Sequence, residues 1–140
     1  MINDIVSGIS EKLSEAFSGC KVYKEQLEQG LEPPCFLIAP VNFDNTPLLM
    51  GKYRRMHTFS ITYHPKSRTN AKAECLEVQD ELFNVLEYIH VAGKLTRGTS
   101  IKGRMSDGVL VCNVNYELFV RQVVEKEPME TLTIIAGGKG

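Results

Sequence analysis

Met56-His57-Thr58-Phe59-Ser60-Ile61-Thr62-Tyr63-His64 alternates without a break. His57, Phe59, Ile61 and Tyr63 fall on one side of an extended chain, and Thr58, Ser60, Thr62 and His64 on the other. Successive side chains of a strand point to opposite faces, so this period of two marks a strand with one buried face. Pro65, which has no N–H to give to a ladder, ends it. Upstream, Cys35 to Val41 is apolar at both parities and reads as a strand covered on both sides. Joined to Met56–His64 through the intervening loop, it makes an antiparallel hairpin. Downstream, Val109 to Val120 repeats the alternation. Leu110, Cys112, Val114, Tyr116, Leu118 and Val120 point inward; Asn113, Asn115 and Glu117 point outward, with Arg121 just beyond. Ser106-Asp107-Gly108 is the tight-turn signal leading into it, because Asp-Gly accepts positive φ. Lys94 to Met105 has strand character with mixed patterning, and Cys20–Lys24 reads as a short strand.

Helical spacing appears twice. Ile2, Ile5, Val6, Ile9, Leu13, Ala16 and Phe17 recur at three and four, one face of a helix that Gly19 stops. Asn70 is a good N-cap, and Cys75, Val78, Leu82, Val85, Leu86 and Ile89 form a stripe of about five turns. The opposite side of this second helix, with Glu74, Glu77, Asp80, Glu81 and Glu87, reads as a solvated face. The order α-β-β-β-α-β-β predicts a sandwich-like α+β fold: an antiparallel or mixed sheet of about five strands with two helices packed on one face. Residues 1–127 make a single domain. Residues 128–140, set off by Pro128 and closing on Gly137-Gly138-Lys139-Gly140, make a C-terminal arm with a flexible end.

The chain has 140 residues, 16 Lys plus Arg against 17 Asp plus Glu, and 43% hydrophobic residues. A chain of this size buries roughly 68% of its extended surface, enough for one core without a metal or disulfide staple. A net charge of −1 lacks the basic excess of a phosphate-gripping domain, so no specific nucleic-acid partner is expected. The start of the chain has no basic and apolar leader pattern, and no stretch approaches the ~20 apolar residues of a membrane span. A cytoplasmic protein with no membrane partner is expected.

The residues do not assemble a reaction centre. Cys20, Cys35, Cys75 and Cys112 include no CxxC pair and sit mostly in apolar patterns, where a thiol acts as a small hydrophobe. His57 and His64 face opposite sides of one strand and cannot chelate together. No glycine-rich phosphate loop occurs. No catalytic, cofactor-binding or metal residue is therefore expected, and no cofactor. Basic residues concentrate at Lys52-Arg54-Arg55 and at Lys94-Arg97-Lys102-Arg104, which could share a patch but have no interleaved aromatic platform for single strands.

Two features point to association. Asp44-Asn45-Thr46-Pro47 reads as a turn cluster, and Leu48-Leu49-Met50 follows as an apolar loop tip, where a monomer gains little from such side chains unless the loop folds back on the core. Thr131 to Ile135 is apolar and β-prone; it suits either a strand added to a neighbouring subunit's sheet edge or a last edge strand of its own domain. Leu48, Leu49 and Met50, with Leu132, Ile134 and Ile135 on the arm, are the candidate partner contacts. A loop and an arm on one subunit suit a head-to-tail interface that closes as a ring.

Taken in order, Glu32-Pro33-Pro34-Cys35-Phe36-Leu37-Ile38, Arg55 to Pro65, the helix around Glu74-Cys75, and Asp107-Gly108-Val109-Leu110 resemble the small tail terminator or minor tail proteins of Gram-positive phages and prophages. The likeness spans about residues 1 to 122 and rests on order and spacing. It implies a non-enzymatic α+β assembly protein that forms a ring, typically hexameric, on the end of the finished tail tube. Its implied partners are other copies of itself, the tail tube protein, and a head–tail connector or neck protein. Its implied place is the host cytoplasm during assembly and then the virion tail. Another head–tail connector is the nearest alternative, and a small-molecule or regulatory binding domain the next; an enclosed apolar pocket with convergent polar groups would favour the latter.

Overall fold

The computed structural model describes residues 1–24, 30–124 and 130–135, with side chains described as far as Gln122. The elements are α1 (Ile2–Ala16), β1 (Lys21–Tyr23), β2 (Cys35–Pro47), β3 (Lys52–His64), α2 (Ala71–Val85), β4 (Tyr88–Val91), β5 (Lys94–Ser106), β6 (Val109–Val124) and β7 (Glu130–Ile135). The strands lie in the order β1-β2-β3-β6-β5-β4, with β7 also on β6. β1 runs parallel to β2 and every other pairing is antiparallel, so this is a mixed sheet with two helices, an α+β fold. The sheet has seven strands where about five were expected; the two additions are β4 and β7.

The alternation read from β3 and β6 sets the inner face. Phe36, Ile38, Phe59, Ile61, Leu110, Cys112, Val114 and Tyr116 bury against Ile5, Ile9 and Leu13 of α1 and Cys75, Val78 and Leu82 of α2. Partners across the β3–β6 ladder, such as Phe59 with Val114 and Ile61 with Cys112, share that face because the register pairs residues of one parity. On the other face, Thr58 donates its hydroxyl to Asn115 Oδ1 at 2.7 Å.

Three boundaries differ from the sequence reading, each for a tertiary reason. The second helix ends at Val85, before the turn that would carry Ile89. The carbonyls just past its end are taken by the sheet: Tyr116 Oη donates to the Leu86 carbonyl at 2.8 Å, and the Gly98 N–H donates to the Glu87 carbonyl at 2.6 Å. Ile89 is still fully buried, but from β4, whose Tyr88-Ile89-His90-Val91 alternates exposed and buried. The β4–β5 hairpin turns on Ala92 and Gly93, with φ of 51° and 80°, a mirror-image turn for which Ala-Gly is a weak sequence signal.

The second difference is the Asp44–Pro47 cluster, which is strand. It pairs residue by residue with Tyr53–Met56, and the turn falls after it, at Leu49–Gly51. Asn45 favours a turn when its side chain bonds its own backbone; here Oδ1 instead accepts from Arg55 Nε at 2.9 Å. The third is a register shift between Pro40 and Asn42. The extra residue, Val41, reverses the parity of β2, so Phe43 comes back to the side of His57 and Phe59, with ring centroids 5.7 and 6.2 Å away.

Glu74 was expected on a solvated face, yet it ties α2 to the end of β3. Its carboxylate accepts from Tyr63 Oη at 2.6 Å and from the backbone N–H groups of Lys66 and Ser67 at 2.7 and 3.0 Å. Burial disfavours the charged carboxylate, but these hydrogen bonds outweigh it and hold the Glu74 pKa below its ordinary value. A depressed carboxylate pKa adds stability that is present above the unfolded-state value and lost as pH falls through the folded one. Glu74→Gln is therefore expected to cost about 1 to 2 kcal/mol at pH 7, the scale of a charge-assisted hydrogen bond discounted for partial exposure. The gap to wild type should narrow as pH falls below the ordinary glutamate range. Urea denaturation at pH 7 and pH 3.5 measures it, and an unchanged gap would mean that charge is not what Glu74 contributes.

Candidate assembly interface

The hairpin of β2 and β3 ends in an exposed apolar knob. Leu49 is 85% and Met50 90% exposed, and Leu48 is exposed as well. The loop does not fold back on the core. Its turn is closed by the Leu48 N–H donating to the Lys52 carbonyl at 2.7 Å. Met50 sits at φ 63° and ψ 40°, a left-handed conformation that costs a non-glycine residue about 1 to 2 kcal/mol. Two large apolar side chains in water on a strained turn are a cost that the isolated chain does not recover.

Charge gathers at the base of the knob. Lys52 and Arg121 are direct partners across the β3–β6 ladder, and Arg54 Nε lies 3.7 Å from Glu117 Oε2. The second basic group lies elsewhere. Lys102 and Arg104 pair with Asn113 and Val111, eight or more rows along β6 from Arg121, about 27 Å at ~3.4 Å per residue. Arg97 is paired with Glu87 at 3.4 Å and lies over the Tyr88 ring. Lys102 and Arg104 therefore lie apart from the basic residues at the base of the knob.

Below the knob, on the inner side, is a cleft of about 580 Å³ between the first turn of α1 and the hairpin. Met1, Ile2 and Asn3 form one wall and Phe43, Arg55 and His57 the other, with Asp44 and Asn45 at the β2 side. Arg55 is held by Asn45 and by a 3.8 Å contact from Nη1 to Met1 Sδ. His57 is 97% buried, at 3% exposure, and its Nδ1 lies 3.3 Å from the Tyr116 carbonyl, which makes that nitrogen the donor of a neutral ring. Burial pushes the His57 pKa down, the Tyr116 carbonyl opposes this, and nearby Arg55 adds to it, so the cleft floor is uncharged at neutral pH. The cleft is open to solvent and not an enclosed cavity. The sequence reading missed it, because it exists only where the Val41 bulge brings Phe43 under α1.

His64 ends β3 and His90 lies exposed on β4, so the three histidines stand apart. Among the described residues no group of three or more His, Cys, Asp or Glu could hold a metal ion. No helix there is long and apolar enough to cross a membrane. The arm candidates Leu132, Ile134 and Ile135 fall on β7, where the backbone register sets them opposite Gln122, Val120 and Phe119 of the same chain. β3 holds the other edge of β6 at Phe119–Arg121, so β7 continues the line of β5. The glycine-rich end at 136–140 and the Pro128 boundary lie outside the described residues.

Together these elements define an α+β protein with an exposed apolar hairpin tip and an open cleft beside it. The chain belongs to the phage tail terminator protein family, whose model matches residues 4–128. It is thus a structural component of a phage tail and not an enzyme. No curated protein matches the sequence. Among the solved structures that match, one shares 12% identity over 85% of this chain and 94% of its own, at a TM-score of 0.42.

Proposed function

We propose that this protein caps the tail tube as a ring of copies of itself, hexameric as in the resemblance, and presents the surface to which a head–tail connector or neck protein attaches. The reading is carried by the strained, solvent-exposed knob Leu48–Met50 in a chain of the terminator family. Termination is competition for a repeating interface: the ring matches the tube's end on one face and offers no tube-like face on the other. In this reading Leu48, Leu49 and Met50 on the hairpin tip, and the β7 positions Leu132, Ile134 and Ile135 on the C-terminal arm, are the candidate contacts with partners. Assembly takes place in the host cytoplasm and the finished protein resides in the virion tail.

Mixing the purified protein with tail tube protein is expected to give tubes capped at one end by negative-stain imaging, with the mass of the free protein followed by light scattering. Replacing Leu48, Leu49 and Met50 by Ser should reduce capping about tenfold, the effect of losing an interface hot spot. The same variant should change folding stability by no more than about 0.5 kcal/mol. A melting-temperature drop as large as that of a core variant, or unimpaired capping, would overturn this assignment.

A further inference from the structure

The helices cover one face of the sheet and leave the other open. Gly103 of β5 sits on the covered side, since a Cβ there would run into the Gln79 side chain of α2. Its neighbours Lys102 and Arg104 point to the opposite side, because successive strand residues alternate. One ladder row on that side runs Leu37, Thr62, Val111 and Arg104 from β2 to β5, and the next ends on Lys102 beside Asn113. Leu37, Thr62 and Val111 are only half-buried, so among the described residues nothing seals them. The open strip is three strand spacings wide, about 14 Å, with a basic border on β5. An α-helix with its side chains is about 10 to 12 Å across.

The chain carries a helix face of matching chemistry. α2 turns Leu76 and Phe83 outward, 50% and 45% exposed and two turns apart. Glu77, Asp80 and Glu81 are exposed beside them, against Lys72 as the helix's only cation. Among the described residues neither these three acids nor Lys102 and Arg104 has an ion pair. The other charges on the open face are paired or lie elsewhere: Arg54 with Glu117, Asp44, Lys52 and Arg121 toward the knob, and Asp107 on the turn past Ser106. Spacing matches as well as sign. Glu77 and Glu81 are four residues apart, about 6 Å of helix rise, and Lys102 and Arg104 are two apart, about 7 Å of strand. The helices and the strip lie on opposite sides of the sheet, so no chain can lay its own α2 on its own strip.

We propose that the outer face of α2 of one copy packs on the open β2-β3-β6-β5 strip of a second copy, with Leu76 and Phe83 over Leu37 and Val111, and Glu77 and Glu81 against Lys102 and Arg104. This rests on the self-association in the proposed function and names its contact; the knob stays free for the tube or the connector. The two patches differ, so the contact is heterologous and repeats around a ring. Burial of the apolar pair supplies the affinity, and the charges fix register and steer encounter.

The test follows the assembly of the full chain by light scattering across concentration, alone and with tail tube protein. Glu77→Lys with Glu81→Lys in one chain, and Lys102→Glu with Arg104→Glu in another, should each lower the assembled fraction about tenfold. An equimolar mixture of the two should assemble as the wild type does, because each reversed face then meets its reversed complement. All four positions are exposed, and mixing would not rescue a misfolded chain. Glu11→Lys with Glu15→Lys, on the exposed side of α1, changes the net charge as much as the α2 pair does and should leave assembly unchanged. Undiminished assembly of either reversed chain, no recovery on mixing, an equal loss in the α1 control, or a wild type that stays monomeric even with tube protein would overturn the proposal. Tube capping reads the other question separately. Reversed chains that cap as well as wild type sink this contact and leave termination standing, whereas rescue on mixing without capping by wild type does the reverse.

Discussion

Leu82→Ala is expected to lower the unfolding free energy by about 2 to 5 kcal/mol in urea denaturation. Leu82 is fully buried on the core face of α2, among the strand side chains of the inner face. Truncation removes the transfer free energy of the lost methyl groups and leaves a cavity lined by two layers that are tied to each other. The carbonyl of Leu86, at the end of the same helix, accepts from Tyr116 of β6, and Glu74 near its start accepts from Tyr63 of β3. Pinned at both ends, α2 has little freedom to settle into the gap, which sets the cost toward the upper part of that range. Phe83→Ala, on the exposed side of the same turn, is the control and should cost well under half as much. A Leu82 effect below about 1 kcal/mol would mean that the stripe does not face the sheet.

Gly8→Ala is expected to destabilise by about 1 to 3 kcal/mol even though alanine is the better helix former. Helix propensity alone favours the substitution by about 1 kcal/mol. Against it stands the packing of α1 on β4: a Cβ at position 8 would lie 2.4 Å from the His90 carbonyl oxygen. The obstacle is backbone, held in the β4–β5 ladder, so it cannot swing away as a flexible side chain would. Either α1 lifts off β4, uncovering Ile5 and Ile9, or the edge strand is displaced. Both exceed the propensity gain. Gly19→Ala, where a Cβ meets nothing within 4 Å, should be near neutral under the same thermal or urea denaturation. A stabilised Gly8→Ala protein would show that α1 does not rest on β4 at this spacing.

The two helical stripes and the two clean alternations were readable because each reports a local geometry that one element satisfies by itself. Leu110 through Val120 are buried at every second position, as the pattern requires. The apolar tip was also legible, since Leu48-Leu49-Met50 is out of place in any turn. Where two local codes overlapped, the reading failed. Val85 and Ile89 are four apart and continue a helical stripe on paper, while Tyr88–Val91 is equally a short alternating strand. The hydrogen bonds of Gly98 and Tyr116 to Glu87 and Leu86 choose the strand. The turn residues Asp44 to Pro47 gave way in the same manner to the ladder with β3.

By itself the sequence determined which faces are apolar, and that an apolar tip stands between two central strands. These follow from side-chain chemistry at fixed local periods. Only the tertiary structure decided that β4 and β7 complete the sheet, that Val41 reverses the parity of β2, and that Phe43, Arg55 and His57 meet the first turn of α1 in a cleft. Each of these depends on contacts between residues tens of positions apart. The free energy of such contacts belongs to the packed arrangement and to no single stretch of the chain.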